Sequence, residues 1–558
     1  MEKIDRRTSM KKIIPTIVSV VTLGLVTSLP GPIAEAEEFT PYYGNGPSYI
    51  QPENLSHLFP DPNVSFKTPA FKQNKVAFTS QEEMLDSIKS LSHKNKNIQI
   101  KTIGKSTEGR DIPMLLFSKD SKRPIKDSHK PLIWIQGQIH GNEPASGEST
   151  LVLAQWLAEG KLGDVLDKVN VAIVPRVNPD GSYYFKRYTA NDMDANRDYL
   201  KVEYPEVQTI HQSIDQYEPE VILDVHEYTV NPAPLKKVGA NGSIASYDLL
   251  ISSAKNLNIP KQLRKASDEL LLPNVFKTLD QEKLSYHDYY TLATSDDGVL
   301  TATEGSTEAR IGRNALGLKN TMTYLIETRG INIGRTDFKR RVFAQATAQA
   351  AFIKTAAEQA SKVKKAVKQA ETEVVQKGRK ANDNDEIVII SENKLVKDQK
   401  LTVVDLAKAK MIDASIDWLD STDAYPTLVR DRPTAYILPP EYKNIAKKLQ
   451  LLGVEVKKLK KPMKVAVESY RVNDLKVSAE LESGHSTREV TTTVTSKIRD
   501  FPKGSYVFDM AQPDANFISL ALEPEGIDSY VTFHFIPAAK GKELPIYRYM
   551  QPSSLPVK

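Results

Sequence analysis

The feature that most constrains the fold is a series of short apolar runs that alternate with helix-length segments. The runs cover 132–139, 169–174, 221–225 and 322–326, and amphipathic segments of helical length cover 146–158 and 205–217. Unbroken Val, Ile and Leu runs are typical of strands buried on both faces of a sheet. The order predicts an α/β fold, in which the loops after the carboxyl ends of the strands assemble a functional site.

Elements on both sides of these runs complete the predicted α/β part, which we place at residues 76–377. A helix is expected at 81–92, followed by a hairpin of strands 98–103 and 112–117 that turns at 108–110. A long segment rich in Ala, Lys and Gln predicts one continuous helix over 337–377, with Thr336 as its N-cap. The chain has 558 residues, too many for one compact domain of ordinary size.

Composition predicts the remaining boundaries. Residues 37–75 are rich in Pro, Asn, Tyr and Gly, which indicates an extended arm or a short propeptide. The polar stretch 378–386 predicts a linker. Beyond it, residues 387–558 contain many short β-branched segments, and these predict a smaller β-rich C-terminal domain of unassigned role. Short strands are expected there at 388–390, 435–438, 465–467 and 490–494, with one helix at 441–452.

The N-terminal residues 1–36 have the pattern of a signal peptide. A basic segment precedes an apolar run over 13–29, and Ala34-Glu35-Ala36 offers the small-x-small pattern of a cleavage site. An uncleaved membrane anchor is the alternative, but the run is at the short limit for spanning a bilayer. We therefore expect a secreted protein without stable membrane insertion after the signal is removed.

The charge and the cysteine content narrow the chemistry and the compartment. Residues 1–36 carry five basic and three acidic side chains, so the net charge of +5 becomes +3 without them, which gives no argument for nucleic acid as a partner. The chain has no cysteine, so a metal must be held by His, Asp or Glu. A long exported protein without cysteine favours an origin in a Gram-positive bacterium.

The motif His140-Gly-Asn-Glu143 lies where an apolar strand ends and a helix is expected to begin. A histidine and a glutamate three residues apart on a turn can face one point, and imidazole with carboxylate suits zinc. Gly141 is expected to allow a tight turn, and Pro144 to start the helix. A surface histidine beside an ion-paired glutamate is the alternative, because this short motif is common.

Three further motifs supply the groups that a hydrolytic zinc site needs. Asp224-Val-His226 ends another buried run and offers a third metal ligand. Asn196 and Arg197, which follow Asn178-Pro-Asp-Gly181 along the chain, place an amide beside a guanidinium and so form a fork suited to a carboxylate. Glu327 ends the last apolar run and is a candidate general base.

The order of these motifs over about residues 79–356 resembles that of the zinc carboxypeptidase family, peptidase M14. The resemblance implies a mixed central sheet flanked by helices, and one Zn²⁺ per chain held by His140, Glu143 and His226. It also implies Glu327 as the general base and Arg187 as the group that polarises the scissile carbonyl. Two further roles are implied: Asn196 and Arg197 would bind the terminal carboxylate of a peptide, and Asp194 would orient His140.

The implied activity is removal of C-terminal residues from peptides or proteins, cell-wall peptides among them. A zinc amidohydrolase acting on acyl-amino acids and a catalytically silent peptide-binding homologue are the alternatives. Family members commonly carry a mobile tyrosine before the catalytic glutamate, but 305–318 contains none. Candidate substitutes are Tyr286, Tyr289, Tyr290 and Tyr324, and each is more simply explained as a packed or lining residue. Arg310 and Arg313 are candidates for the specificity pocket.

Overall fold

The computed structural model of the chain describes residues 43, 47–119, 125, 128–295, 298–380, 384–552 and 555–558. The predicted signal peptide lies outside the described residues, as do parts of the predicted arm and linker. The strands are β1 Ile98–Lys105, β2 Asp111–Phe117, β3 Leu132–Gly137, β4 Asn170–Val174, β5 Val221–Thr229, β6 Ser243–Ala245, β7 Leu249–Ser253, β8 Tyr286–Asp288, β9 Thr291–Thr294, β10 Leu300–Thr303, β11 Met322–Ile331, β12 Glu386–Asp405, β13 Lys410–Asp431, β14 Ala435–Leu438, β15 Lys457–Lys458, β16 Met463–Glu482, β17 His485–Phe501, β18 Tyr506–Asp509 and β19 Glu543–Tyr549. The helices are α1 Gln81–Lys94, α2 Pro144–Ala158, α3 Pro179–Tyr184, α4 Pro205–Tyr217, α5 Lys261–Leu270, α6 Leu272–Gln281, α7 Gly312–Leu318, α8 Phe338–Glu358, α9 Ala360–Gly378, α10 Lys443–Leu451 and α11 Ala515–Leu522.

The centre of the fold is a mixed sheet with the strand order β1-β2-β4-β3-β5-β11-β7-β8. Its four inner strands β4, β3, β5 and β11 run parallel, while β1, β2 and β7 make antiparallel pairs. Every residue of β3 and β4 is buried, as expected for apolar strands covered on both faces. The α/β fold with a mixed central sheet, predicted from the apolar runs and the family resemblance, is confirmed.

Helices flank the sheet, and their sequences explain where they begin. Ser80 caps α1 through a capping box with Glu83. Proline stands in the first turn of α2, α3 and α4, where its missing N–H costs nothing. Helix α2 is almost wholly buried, because it lies between the sheet and α8. The expected single helix over 337–377 is wrong: it is divided into α8 and α9 at Gln359, and Asp337, not Thr336, precedes it.

The C-terminal strands contribute to two further sheets. Strands β12 and β13 form a long hairpin, and they join β6, β9 and β10 in the order β6-β12-β13-β10-β9. The last sheet has the order β15-β18-β14-β19-β16-β17. The predicted β-rich region after 387 is therefore present, and its first hairpin shares a sheet with strands that precede the predicted linker.

The described part of the N-terminal arm lies on the α/β core. The backbone N–H of Tyr49 donates to the carbonyl of Asn332 at 2.9 Å. The ring of Phe59 covers the guanidinium of Arg329, with 3.6 Å between that group and the ring centroid. Gln51 accepts a hydrogen bond from Arg329 at 2.9 Å. These contacts hold the described arm against the end of β11 and the residue that follows it.

Residues Tyr42–Lys558 form one compact unit. The largest hydrophobic core contains residues from both sides of the predicted linker, including Leu316 before it and Phe517 after it. Across the described residues, no helix combines the length and the apolar character that crossing a bilayer requires.

Candidate active site

The candidate site lies at one edge of the central sheet. Because β4, β3, β5 and β11 are parallel neighbours, their carboxyl ends meet there. His140 follows β3, His226 lies within β5, and Glu327 lies within β11. The register pairs Glu327 with His226 on the adjacent strand. Residues that are 187 positions apart along the chain, His140 and Glu327, are thereby brought to one edge.

His140, Glu143 and His226 form a buried cluster that could hold a metal ion. One ligand atom from each lies within 4.8 Å of the other two. The two Nδ1 atoms are 3.2 Å apart, and the Glu143 carboxylate lies 2.7 Å from His140 Nδ1 and 3.0 Å from His226 Nδ1. Zinc bonds of about 2.0–2.1 Å in a tetrahedron separate ligand atoms by roughly 3.3 Å. The two imidazoles and one carboxylate therefore fit zinc in type and spacing.

The outer nitrogen of each histidine faces a carboxylate. Asp194 Oδ1 lies 3.1 Å from His140 Nε2. Asp224 Oδ2 lies 3.2 Å from His226 Nε2, within ion-pair distance but without hydrogen-bond geometry. Such outer carboxylates fix the tautomer of a ligating imidazole and raise its basicity. The contact of Asp194 with His140 was expected from the sequence, whereas the contact of Asp224 with His226 was not predicted.

The loop that carries His140 is braced by the Asn178-Pro-Asp-Gly181 motif. Asn178 donates to the carbonyl of Ile139 at 3.1 Å and accepts from the Gly181 N–H at 2.8 Å. A side chain on Gly141 would meet the Gly181 backbone at 1.9 Å. Gly141 lies in a turn, as expected, in which the Glu143 N–H donates to the His140 carbonyl at 3.3 Å, but its φ is not positive, and glycine is required there by this close approach of two backbones. Pro144 begins α2, as predicted.

The two glutamates of the site have opposite electrostatic environments. Burial would raise the pKa of Glu143, but the charges and hydrogen bonds of His140 and His226 bring it well below its ordinary value. Burial raises the pKa of Glu327 to about 7, and the nearby charge of His226 offsets this only in part. Glu143 is thus suited to remain ionised as a cation ligand, and Glu327 to exchange a proton near neutral pH.

Arg187 is held beside the cluster by a bidentate contact. Its Nε and Nη2 donate to Asp194 Oδ2 at 3.1 and 2.9 Å. Its Nη1 lies 3.2 Å from His140 Nδ1 and 3.7 Å from Glu143 Oε1. Burial favours the neutral form, but Asp194 and Glu143 raise the pKa of Arg187 overall. A fixed cation next to the metal cluster can polarise a carbonyl placed there.

Asn196 and Arg197 lie on the same cavity as the metal cluster. The cavity has a volume of about 590 Å³, and His140, Arg187 and Glu327 also line it. Asn196 Oδ1 accepts from the Gly312 N–H at 2.8 Å, which fixes the orientation of the amide. Arg197 Nη1 donates to the Asn196 carbonyl at 3.0 Å. The structure therefore brings together all eight site residues singled out in the sequence.

Of the four tyrosines considered for the site, Tyr289 and Tyr290 line the cavity. Tyr286 stacks on Phe276, with ring centroids 4.4 Å apart, and Tyr324 is buried and donates to the Ser267 carbonyl. The position of Tyr289 depends on β8 and β9, two short strands without a clear sequence pattern. A second cavity, of about 810 Å³ and lined by Asp215 and Lys319, contains no member of the site.

The fold and the site together define a metallopeptidase class, in which a sheet edge presents a His, Glu, His cluster beside a buried carboxylate. The sequence model of the zinc carboxypeptidase family, peptidase M14, matches residues 84–362, and the chain belongs to that family. Carboxypeptidase 2 of Trichophyton rubrum is 33% identical over 478 residues, which cover 84% of this chain and 86% of that protein.

Other similarities are more limited. Carboxypeptidase SOL1 of Arabidopsis thaliana is 28% identical over 157 residues, covering 27% of this chain and 30% of that protein. The solved carboxypeptidase A from Helicoverpa armigera covers 55% of this chain and 80% of its own, at 17% identity and a TM-score of 0.39. Carboxypeptidase 2 of Trichophyton rubrum and of Trichophyton equinum, which cover 84% and 80% of this chain, are fungal proteins and give no support to the expected Gram-positive origin.

Proposed function

We propose that the chain is a secreted metallocarboxypeptidase that removes single residues from the C-termini of peptides. One observation carries the proposal: the metal cluster, Glu327, Arg187 and the pair Asn196 and Arg197 line or border one cavity of about 590 Å³. A hydrolase of acyl-amino acids would use the same positively charged pair, because its leaving amino acid also carries a carboxylate; the match of residues 84–362 to the zinc carboxypeptidase family favours the peptidase over it. A binding protein has no need of a buried base whose pKa is about 7.

In the proposed reaction, His140, Glu143 and His226 hold one zinc ion. Zinc supplies, when bound, Lewis acidity and a water whose pKa is lowered to about 7. Asn196 and Arg197 bind the terminal carboxylate of the peptide and so place the last peptide bond at the cluster. Arg187 Nη1 donates to the carbonyl oxygen of that bond as negative charge develops on it.

Glu327 moves the proton in this reaction. Its carboxylate takes a proton from the attacking water as the new C–O bond forms, and it then gives that proton to the leaving amine nitrogen as the C–N bond breaks. One water is consumed, and the products are a shortened peptide and a free amino acid. Asp194 serves two of the participating groups, since it contacts His140 and clamps Arg187.

A pair of peptides that differ only in a C-terminal amide tests the proposal. The amide removes the negative charge that Asn196 and Arg197 are proposed to bind, so we expect cleavage of the free acid and roughly 100-fold slower cleavage of the amide. Chelation should stop both reactions. Equal cleavage of both peptides, preferential hydrolysis of N-acyl amino acids, or zinc-dependent binding without turnover would each contradict the proposed function.

Export is part of the proposal and is supported by the sequence pattern of residues 1–36. The experiment is N-terminal sequencing of the protein recovered from the culture medium of an expressing host. The expected first residue is Glu37, after the Ala34-Glu35-Ala36 pattern. Retention of the full-length chain in the cell membrane would support the uncleaved anchor instead.

A further inference from the structure

One cationic side chain in the cavity is left unused by the proposed reaction. Arg313 lies on α7, lines the cavity and is 1% exposed. Its Nη2 donates to the Ser306 carbonyl at 3.1 Å. Among the described residues, no acceptor takes a hydrogen bond from its Nε or Nη1, and no carboxylate oxygen lies within 4.0 Å of the guanidinium. Arg313 is therefore a buried cation without a direct ion pair among the described residues, and the more distant carboxylates of Glu304, Glu327 and Asp224 offset the effect of its burial only in part.

Tyr289 and Gly305, two uncharged residues in contact with Arg313, hold the guanidinium in place. The ring of Tyr289 lies against it, at 5.6 Å from the ring centroid to the guanidinium carbon. Gly305, at φ +75°, leaves the space that the group occupies, since a side chain there would meet Arg313 Nη2 at 2.7 Å. An aromatic face and a glycine give packing and some cation–π attraction, but they supply no counter-charge.

The other arginines of the cavity make the contrast clear. Arg310 contacts three carboxylates, from Glu308, Glu482 and Asp528, at 2.9–3.5 Å. Arg187 is paired with Asp194. Arg197 has no carboxylate within 4.0 Å among the described residues, and the proposed function assigns it the terminal carboxylate of the substrate. Arg313 is thus, together with Arg197, one of two arginines on this cavity that have no carboxylate within 4.0 Å among the described residues.

The position of Arg313 indicates which part of a substrate it would meet. The N–H of Gly312, the preceding residue, donates to Asn196 Oδ1 at 2.8 Å. Arg313 therefore adjoins the pair that is proposed to bind the terminal carboxylate. The residue that carries this carboxylate has its own side chain on the same side of the cleaved bond. That side chain is the group that can approach Arg313.

A buried charge without an ion pair is unfavourable unless a ligand compensates it. We propose that Arg313 is a specificity-determining residue that binds the side-chain carboxylate of a C-terminal aspartate or glutamate. A substrate ending in an acidic residue carries two neighbouring carboxylates, which match Arg197 and Arg313. The inference rests on the proposed function, because it takes Asn196 and Arg197 as the binding site of the terminal carboxylate.

The test uses N-benzoylglycyl dipeptides that end in Glu, Asp, Gln, Leu or Lys, with the zinc-loaded full chain. Glu and Gln have the same shape and differ in charge, so the ratio of their kcat/KM values isolates the carboxylate. A charge-assisted hydrogen bond predicts a Glu/Gln ratio of at least about tenfold. The Arg313→Met variant should lower that ratio to about one to threefold, because kcat/KM falls more for the Glu substrate than for the Gln and Leu substrates.

Two further variants keep the result interpretable. Arg313→Lys retains the charge and should retain part of the preference for Glu. Arg471→Met is the same substitution at an exposed arginine on β16, outside the cavity, and should leave every ratio unchanged. If the Met variant fails to fold, the wild-type ratio and the Lys variant still decide the question.

Two kinetic outcomes would overturn the inference, and a third transfers the decision to a binding measurement. The first is a wild-type enzyme that does not favour acidic residues. The second is an equal loss for all substrates in Arg313→Met, which would place Arg313 on the terminal carboxylate. The third is that no peptide is cleaved, so that the proposed function fails. Calorimetry of L-glutamate and L-glutamine binding then tests the inference about Arg313. Tighter glutamate binding that Arg313→Met abolishes would support the inference, and equal binding would overturn it.

Discussion

At the residue scale, two glutamates of the site differ in what surrounds them rather than in chemistry. Glu143 lies between two histidines, and their charges outweigh the effect of burial, so its pKa lies well below the ordinary value. Among the described residues, none forms a hydrogen bond or an ion pair with the Glu327 carboxylate, and burial raises its pKa to about 7. We therefore assign Glu143 to the metal and Glu327 to proton transfer.

The Glu327→Gln substitution separates these two roles. Gln has nearly the same shape but cannot take a proton from water, so we expect kcat to fall by roughly 10²–10⁴-fold. Zinc content, measured by elemental analysis, should stay at one ion per chain because Glu327 is not a proposed ligand. An active variant with its full zinc content would remove Glu327 from the mechanism.

A second prediction concerns Asp198, which is buried and whose pKa burial raises to about 7. The raised pKa means that the folded chain binds a proton more tightly than the unfolded chain. The stability contributed by this group is therefore fully present below about pH 4 and is lost as the pH rises toward 7. Asp198 Oδ2 accepts from two backbone N–H groups, which an Asn oxygen can also accept.

The measurement is the thermal unfolding midpoint of wild type and Asp198→Asn between pH 5 and pH 8. We expect the difference between the two proteins to change in favour of the variant by at least about 2 °C as the pH rises. A difference that stays constant with pH would show that Asp198 does not titrate in this range.

Single residues also show what the sequence could predict of the site. His140, Glu143 and His226 carry a recognisable spacing, and the apolar runs before them predict a shared sheet edge. The contact between Asp224 and His226 could not be predicted from the sequence. Residues two positions apart lie on the same face of any strand, so this spacing alone does not indicate that the two side chains interact. The unpaired state of Arg313 depends on where the residues near Ser306 and Tyr289 fold, and no local pattern encodes that.

At the element scale, the β12 and β13 hairpin forms part of the support of the cavity. Leu401 and Val403 on β12 share a hydrophobic cluster with Tyr228 and Tyr290, which line the cavity. Strand β13 pairs with β10, whose residue Thr303 also lines it. A hairpin that follows the predicted linker thus lies directly behind the wall of the site.

This arrangement predicts a functional effect of a core substitution far from the metal cluster. Leu401 is fully buried, so Leu401→Ala should reduce the free energy of unfolding by about 2–5 kcal/mol and raise KM several-fold by loosening the wall. Leu395→Ala is the control on the same strand, because Leu395 is 50% exposed. Denaturant unfolding and peptide kinetics measure both effects; equal behaviour of the two variants would contradict this support.

The elements that the sequence predicted well are those with continuous burial. Helix α4 and the beginning of β5 lie at the predicted positions because their apolar faces are unbroken. The long strands β12, β16 and β17 were expected only as short pieces, and no strand was predicted within β13. Much of each strand is exposed and polar, so only the buried β-branched portions stand out in the sequence.

At the scale of the whole molecule, the predicted boundary at 378–386 does not coincide with a gap in packing. Asp528 Oδ2 accepts hydrogen bonds from the N–H groups of Ala309 and Arg310 at 2.6 and 3.2 Å. Lys319 donates to the Leu452 carbonyl at 2.7 Å. Helix α11 packs on α9, and α10 packs on α4. The C-terminal region therefore completes the packing of the segment that carries the cavity.

A fragment of residues 37–380 tests this dependence. Its exposed core surface and unpaired backbone groups should prevent cooperative folding, so we expect low soluble yield and no sharp thermal transition. The full chain from residue 37 is the control. A fragment that unfolds cooperatively, binds zinc and cleaves peptides would show that residues 76–377 form an independent catalytic domain, as the sequence predicts.

The most direct test of the central claim is digestion of a mixed peptide library by the zinc-loaded protein, followed over time by mass spectrometry. We expect ladders of products that lose one C-terminal residue at a time, that a chelator abolishes and that added zinc restores. Peptides ending in Asp or Glu should be shortened first. Internal cleavage, products that are insensitive to the chelator, or an unchanged library would contradict the assignment of this cavity to a metallocarboxypeptidase.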